Sequence, residues 1–273
     1  MTSKTTKSLA ADALAVLKTS NPVEKASLAS SLVERWGSVS SFSVVSIANP
    51  PLRPSRPDLP LLLPPGKVPR RRINRGVKGR IALLHALAHI ELNAVDLACD
   101  IIVRFGYEKE LPTDFYKDWA KVASDEGRHF LLLSERLEEL GATYGDLPAH
   151  DGLWEAAENT ANNLLARLAI VPLVLEARGL DVTPPMINKL RSVEDQESAA
   201  ILDIIHRDEI RHVAIGQRWF DHLCDKQNLD PVLTFHNLVK HYFKGALRPP
   251  FNKISRDAAG MPPAFYDVEA ISH

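Results

Sequence analysis

Cysteine is scarce in this chain of 273 residues, with Cys99 and Cys224 the two present. They fall in separate helical patterns and form no Cys-x-x-Cys pair, which excludes a disulfide framework and a zinc knuckle and fits a reducing, cytoplasmic setting. Long apolar runs are missing as well. No stretch approaches the ~18 residues that a membrane span needs, so no membrane partner is expected. The N-terminus also lacks an apolar segment followed by a cleavage site. Charge of one sign is absent overall, since 33 Lys and Arg stand against 34 Asp and Glu. A net charge of -1 argues against a general polyanion binder.

What remains is an ordinary globular composition, 45% apolar and 25% charged, in a chain long enough to bury a sizeable core. Between Ser8 and Lys18, Leu9, Ala13, Leu14 and Leu17 recur at helical spacing, and a second helix follows Asn21-Pro22 and ends before Gly37. These two form an N-terminal helical hairpin over residues 1–48. Residues 49–76 are a strap: Pro50, Pro51, Pro54, Pro57, Pro60, Pro64, Pro65 and Pro69 exclude both helix interior and central strand. Its apolar part, Leu59-Pro60-Leu61-Leu62-Leu63, is costly to leave in water, so the strap is expected to lie along the rest of the molecule. Nine Lys and Arg between Pro51 and Arg80, against Asp58 alone, could contact phosphate. No aromatic residue is interleaved for base stacking, however, and the preferred reading is a solvated turn whose arginines pair with acidic helix faces.

Four long helices follow over residues 77–225. The first is expected from about Val77 to Phe105, closed by Gly106; its apolar stripe is interrupted by one carboxylate, Glu91. A Glu on a core-facing stripe is expensive unless it is paired or bound to metal. The second starts at Pro112-Thr113-Asp114 and ends at Leu140-Gly141. After a connection from Gly141 to Gly152, the third is expected from about Leu153 to Arg178, stopping at Gly179. It is kinked by Pro172 about one turn before its own carboxylate, Glu176. The fourth is expected after Thr183-Pro184-Pro185, running to about Cys224. Residues 226–273 hold a last helix from Asp230-Pro231 to Phe243 and an irregular tail from Arg248.

The second and fourth helices share a five-residue word, Asp125-Glu126-Gly127-Arg128-His129 and Asp208-Glu209-Ile210-Arg211-His212. Glu and His three apart project from one helix face, within reach of one metal ion. The chain is therefore an internal repeat, a helix with one stripe Glu followed by a helix with Glu-x-x-His. Glu91 to Glu126 spans 35 residues and Glu176 to Glu209 spans 33. Four helices that supply a Glu, a Glu-x-x-His, a Glu and a Glu-x-x-His to one core present the ligand set of the ferritin-like di-iron carboxylate proteins. Four carboxylates neutralise two divalent ions, and one imidazole per ion leaves positions open. On this reading Glu126 and Glu209 bridge, Glu91 and Glu176 are terminal, and His129 and His212 complete the set. The expected cofactor is two iron ions, with manganese–iron or two manganese ions as alternatives. His206, one turn before Glu209, is an outer candidate. His85 and His89 lie off the Glu91 face and are read as core or interhelical hydrogen-bonding residues. Trp119 and Trp219, each seven residues from a ligand, are read as packing. No Tyr is spaced for a radical near the metals.

Several phrases resemble the ferritin-like family labelled domain of unknown function 455. They are Leu62-Leu63-Pro64-Pro65-Gly66-Lys67-Val68-Pro69-Arg70-Arg71, His85-Ala86-Leu87-Ala88-His89-Ile90-Glu91, the two Asp-Glu-x-Arg-His words, and Lys244-Gly245-Ala246-Leu247-Arg248-Pro249-Pro250-Phe251-Asn252. The resemblance covers nearly the whole chain and implies an all-α, ferritin-like four-helix bundle with a di-iron site, without implying a substrate. More distantly the arrangement is similar to the di-iron hydroxylase that modifies transfer RNA and to aldehyde-deformylating oxygenases. The words also resemble those of bacterial multicomponent monooxygenases and acyl carrier protein desaturases. That likeness implies that Asp125 hydrogen-bonds His212 and Asp208 hydrogen-bonds His129, with Arg128 and Arg211 balancing the charge. The expected function is a non-haem di-iron oxidoreductase that activates dioxygen and oxidises a small-molecule or RNA-linked substrate, fed by an electron donor and assembled as a homodimer. A ferroxidase or iron-binding protein without organic substrate is the alternative.

Overall fold

The computed structural model describes residues 8–39, 47, 49–68, 76–106 and 111–267. Among them every regular element is helical, and the nearest thing to a strand is a single β-bridge between Leu62 and Ala149. None of the described helices is long and apolar enough to cross a membrane. The chain divides into two compact units, one holding the described residues as far as Trp154 and the other those from Glu155 onward.

In the first unit, α1 (Leu9–Lys18) and α2 (Pro22–Ser30) form the expected hairpin, capped by Ser8 and Asn21, whose side chains accept from the Ala11 and Glu24 amides. The second predicted helix breaks at Ser31, and α3 (Leu32–Trp36) follows. Two long helices then fold back on one another, α4 (Val77–Arg104) and α5 (Thr113–Glu139). α1 lies on α4, and α2 and α3 lie on α5. Leu9, Val16 and Leu17 of α1 are fully buried, each such side chain worth about 1.5–3 kcal/mol on removal from water.

The strap is fastened along this unit by polar contacts. The Ser55 amide donates to Leu17 O at 2.8 Å, Arg104 Nη2 to Pro51 O at 2.8 Å, and Trp154 Nε1 to Leu52 O at 3.3 Å. At Leu61 to Leu63 the backbone pairs with Ala149 of the connection that follows α5. The strap thus lies along the unit, but the burial cost of its apolar part is not what holds it there, because Leu59, Leu61 and Leu62 stay exposed while Pro54 and Pro60 are buried. Arg53 pairs with Asp151, and Arg56 with Asp96 and Asn93, so these two arginines do meet acidic or polar helix-side groups. Arg70, Arg71, Arg72 and Arg75 lie outside the described residues.

α6 (Gly152–Asn159) carries the chain into the second unit, where the predicted third helix differs most. It is interrupted at Thr160–Asn163 and resumes as α7 (Leu164–Ile170), capped by Asn163. A π-helical segment, Val171–Glu176, follows and leads into α8 (Ala177–Ser192). Gly179 and the Pro184-Pro185 pair, read as the end of one helix and the start of the next, sit inside α8. Pro184 has no amide proton for the Leu180 carbonyl. Asn252 Nδ2 donates to that carbonyl instead, at 3.1 Å, so the helix survives. The true break comes at Glu194, with φ of 65°, before α9 (Gln196–Lys226), which is capped by Asp195. Gly216 of α9 faces the Pro172 ring, where an added Cβ would lie 2.4 Å from the proline Cβ. α10 (Pro231–Tyr242) begins at the Asp230 cap as expected. The tail is less irregular than its prolines suggested and contains α11 (Lys253–Ala258), which packs on α8 and α9.

Candidate metal centre

Burial of charge is the notable property of α4 and α5. Glu91, on the apolar stripe of α4, is 4% exposed, and Glu126 and His129 on α5 are both 0% exposed. The i, i+3 spacing puts the last two on one helix face, and the packing of α5 on α4 brings that face to Glu91. The donor atoms of the three side chains lie within 4.8 Å of one another. His129 Nδ1 is 3.3 Å from Glu91 Oε2 and 3.4 Å from Glu126 Oε2. Burial, and next the neighbouring Glu126 carboxylate, push the Glu91 carboxyl well above its ordinary range, while His129 opposes this. Two carboxylates and an imidazole gathered out of water suit a divalent cation, since the cation supplies the positive charge that desolvation and mutual repulsion call for. The chain thus holds a buried Glu and His cluster that can bind a metal ion.

Each partner of the cluster is itself held. Asp125, also buried, accepts from Lys121 Nζ at 2.5 Å and from Arg128 Nη2 at 3.3 Å. Gly127 lies under α2, and a Cβ there would come within 2.5 Å of Ala26 O. The five-residue word can therefore approach the N-terminal hairpin only with glycine at its centre. His89, two residues before Glu91, donates through Nε2 to His150 O at 3.1 Å, which leaves Nδ1 to accept from the Tyr144 hydroxyl at 2.8 Å. Burial first, and Arg56 next, hold the His89 pKa down to about 3, so the ring is neutral. His85 Nε2 accepts from the Gly145 amide at 2.9 Å, and its ring stacks on Tyr144. Both histidines thus tie α4 to the connection after α5, in the interelement role expected of them.

In the second unit the other word repeats the local pattern. His212 Nδ1 lies 3.5 Å from Glu209 Oε1, with His212 and Glu209 both buried. Asp208, fully buried, accepts from Arg211 Nη2 at 2.6 Å and faces Arg207 Nε at 3.5 Å. In both words the Arg therefore pairs with the Asp three residues before it. Glu176 is half-buried and closes the π segment, a kind of local underwinding found disproportionately at functional sites. His206 Nε2 meets Ser255 Oγ of α11 at 3.2 Å. Trp119 packs edge-on against Phe115, and Trp219 lies beneath Arg218, as befits packing residues.

Two groups near the cluster escaped the sequence reading. Tyr144 sits in a loop, where no period places it. Lys25 is the second, a fully buried lysine on α2 that donates to Asp96 Oδ1 at 2.5 Å and to Ser55 O at 2.9 Å. Burial pushes the Lys25 ammonium down and the Asp96 carboxyl up, while their contact and Arg56, 3.0 Å from Asp96 Oδ2, oppose the rise of the carboxyl. The signal available in sequence was Asp96 and Asp100 on the apolar stripe of α4, which asks for buried cations.

Comparison with known proteins covers most of the chain. A protein of Haemophilus influenzae (strain ATCC 51907 / DSM 11121 / KW20 / Rd), described as an uncharacterized protein, is 42% identical over 245 residues, 85% of this chain and 84% of its own. No solved structure matches the chain. The family described as Protein of unknown function (DUF455) matches residues 18–267, and the chain belongs to that family.

Proposed function

We propose that the two Glu-x-x-His words face each other across a ferritin-like four-helix bundle and hold two iron ions, and that the protein is a non-haem di-iron oxidoreductase. The observation that carries the reading is the matched pair of words. In each, an imidazole Nδ1 lies 3.4 to 3.5 Å from the Glu three residues before it, and in the first the Glu91 carboxylate stands at the same nitrogen. Glu91, Glu126 and His129 would serve one ion, and Glu176, Glu209 and His212 the other, with Glu126 and Glu209 bridging. When bound, such a pair of ions activates dioxygen at its open positions.

The protein's own residues then have separable tasks. Glu91, Glu126 and His129 lie out of water, which strengthens their hold on a cation. Asp125 and Asp208, fixed by Arg128 and Arg211, would orient the imidazoles of the opposite word through the ring nitrogen that faces away from the metal. His85, His89 and Tyr144 brace the α4 turn that carries Glu91. The substrate belongs to the small-molecule or RNA-linked classes, with an electron donor still to be identified.

Metal analysis after anaerobic loading tests this reading. Two irons per chain are expected for the native protein and none for the Glu126→Ala/Glu209→Ala variant; two irons retained by the double variant would refute the assignment. Oxygen uptake by the loaded protein, with and without added reductant, then separates an oxygenase from a ferroxidase. The first turns over repeatedly with reductant, while the second stops once its ferrous iron is spent. Metabolite and RNA-modification profiles of a deletion strain identify the substrate.

A further inference from the structure

The tail phrase from Lys244 to Asn252 has no part in the metal cluster, yet its placement is highly specified. Arg178 Nη1 donates to Arg248 O at 2.8 Å, the Asn252 amide donates to Asp181 Oδ1 at 2.9 Å, and Asn252 Nδ2 takes the carbonyl of Leu180. Arg256 is locked beneath it in a two-pronged pair with Asp181, 2.9 and 2.8 Å, between the Phe251 and Tyr266 rings. The tail is thus fastened over the junction of the π segment with α8. Between them lies a cavity of about 220 Å³.

Its lining is divided by chemistry. Val174, Leu175, Phe243, Ala246, Leu247 and Phe251 form the apolar part. The charged part is Arg178, Arg248, Arg256 and Asp181. Asp181 takes Arg256 in the two-pronged pair and Arg178 Nη1 at 3.3 Å, so three guanidinium groups share one carboxylate and two positive charges are in excess. Arg178 uses Nη1 for its contacts, and neither its Nε and Nη2 nor the exposed guanidinium of Arg248 makes a hydrogen bond among the described residues. The volume falls below the ~300–1,000 Å³ usual for drug-sized ligands, so the occupant is small. Guanidinium forks match a planar carboxylate in two-pronged fashion, and the apolar wall calls for an aliphatic chain behind it.

We propose that this cavity binds a small amphipathic carboxylate, its head on Arg178 and Arg248 and its short aliphatic chain on the wall formed by the π segment and the tail. The site is independent of the metal cluster, although Leu175, which it holds, is the residue before Glu176.

Calorimetric titration of the full chain in the presence of a metal chelator, with hexanoate as probe, tests the proposal. Hexanoate is expected to saturate one site at least tenfold more tightly than acetate, inorganic phosphate or hexan-1-ol. Arg248→Gln, a change at an exposed side chain, should weaken hexanoate about tenfold and leave hexan-1-ol unchanged. Leu247→Trp should fill the cavity and remove binding of both, with an unaltered circular dichroism spectrum showing that it folds. The Glu126→Ala/Glu209→Ala protein should bind hexanoate as the native chain does, whether or not the iron assignment holds. Equal affinity for phosphate or hexan-1-ol, survival of binding in Leu247→Trp, absence of a saturable hexanoate site, or loss of binding in the Glu126→Ala/Glu209→Ala protein would each overturn it.

Discussion

The two halves of the repeat spell the same word and surround it differently. In the first, the stripe Glu sits in an unbroken α-helix of 28 residues, and the word is pressed against an N-terminal hairpin through Gly127. In the second, the stripe Glu closes a π segment that contains Pro172. The word has the larger Ile210 at its centre, and the close approach is made by Gly216 against the Pro172 ring instead. Glu91 is consequently 4% exposed and strongly perturbed, whereas Glu176 is half-buried. A shared ligand pattern fixes which side chains point together; the degree of desolvation, and with it the affinity for charge, is set by what packs behind them.

That contrast can be broken by substitution. Lys25→Ala strips the buried Asp96 of its nearest cation and leaves Arg56 alone to neutralise it. Denaturant titration should show a loss of about 3 kcal/mol, toward the lower end expected for breaking a buried pair. An unchanged midpoint would mean that the hairpin does not clamp the first half. Gly127→Ala places a methyl group against the Ala26 carbonyl and should cost about 1–3 kcal/mol by overpacking. Ile210→Ala, at the matching position of the other word, should cost less, since that side chain is only half-buried. Equal effects would erase the asymmetry. Gly216→Ala should destabilise through the Pro172 ring by a similar ~1–3 kcal/mol, and thermal unfolding checks it. The smallest effect is expected from Glu91→Gln in metal-free protein at neutral pH. Removing one of two adjoining buried carboxylates should raise the melting temperature slightly, because Glu91 then no longer has to be either charged out of water or protonated above its ordinary range. Glu176→Gln should leave it unchanged.

The sequence made the chemistry of the cluster legible because that chemistry is local. Glu126 and His129 are three residues apart, and helix geometry alone aligns them; Glu91 showed itself as a carboxylate on an apolar stripe. Helix starts with an Asn or Asp cap followed by Pro, Asn21-Pro22 and Asp230-Pro231, were also legible. The third predicted helix was not. Its apparent stop at Gly179 and Pro184-Pro185 follows the usual rule for helix breakers, but the carbonyl that Pro184 leaves open is satisfied by Asn252, 72 residues along the chain. Nothing local announces such a partner. The strap leucines gave the right placement for the wrong reason: burial cost predicted that the strap would lie along the molecule, while the backbone pairing at Ala149 and the arginine contacts fix the segment and leave those side chains outside.

The π segment at Val171–Glu176 has a further consequence for the phase of the chain. A π turn holds one residue more than an α turn, so the side chains of α8 are rotated by about 100° from where an uninterrupted helix continuing α7 would put them. Removing a single residue between Val171 and Leu175 should therefore heal the helix rather than break it, and would leave Glu176 and everything after it at the same azimuth. The segment acts as a one-residue vernier, absorbing an extra residue while the second stripe carboxylate keeps its direction.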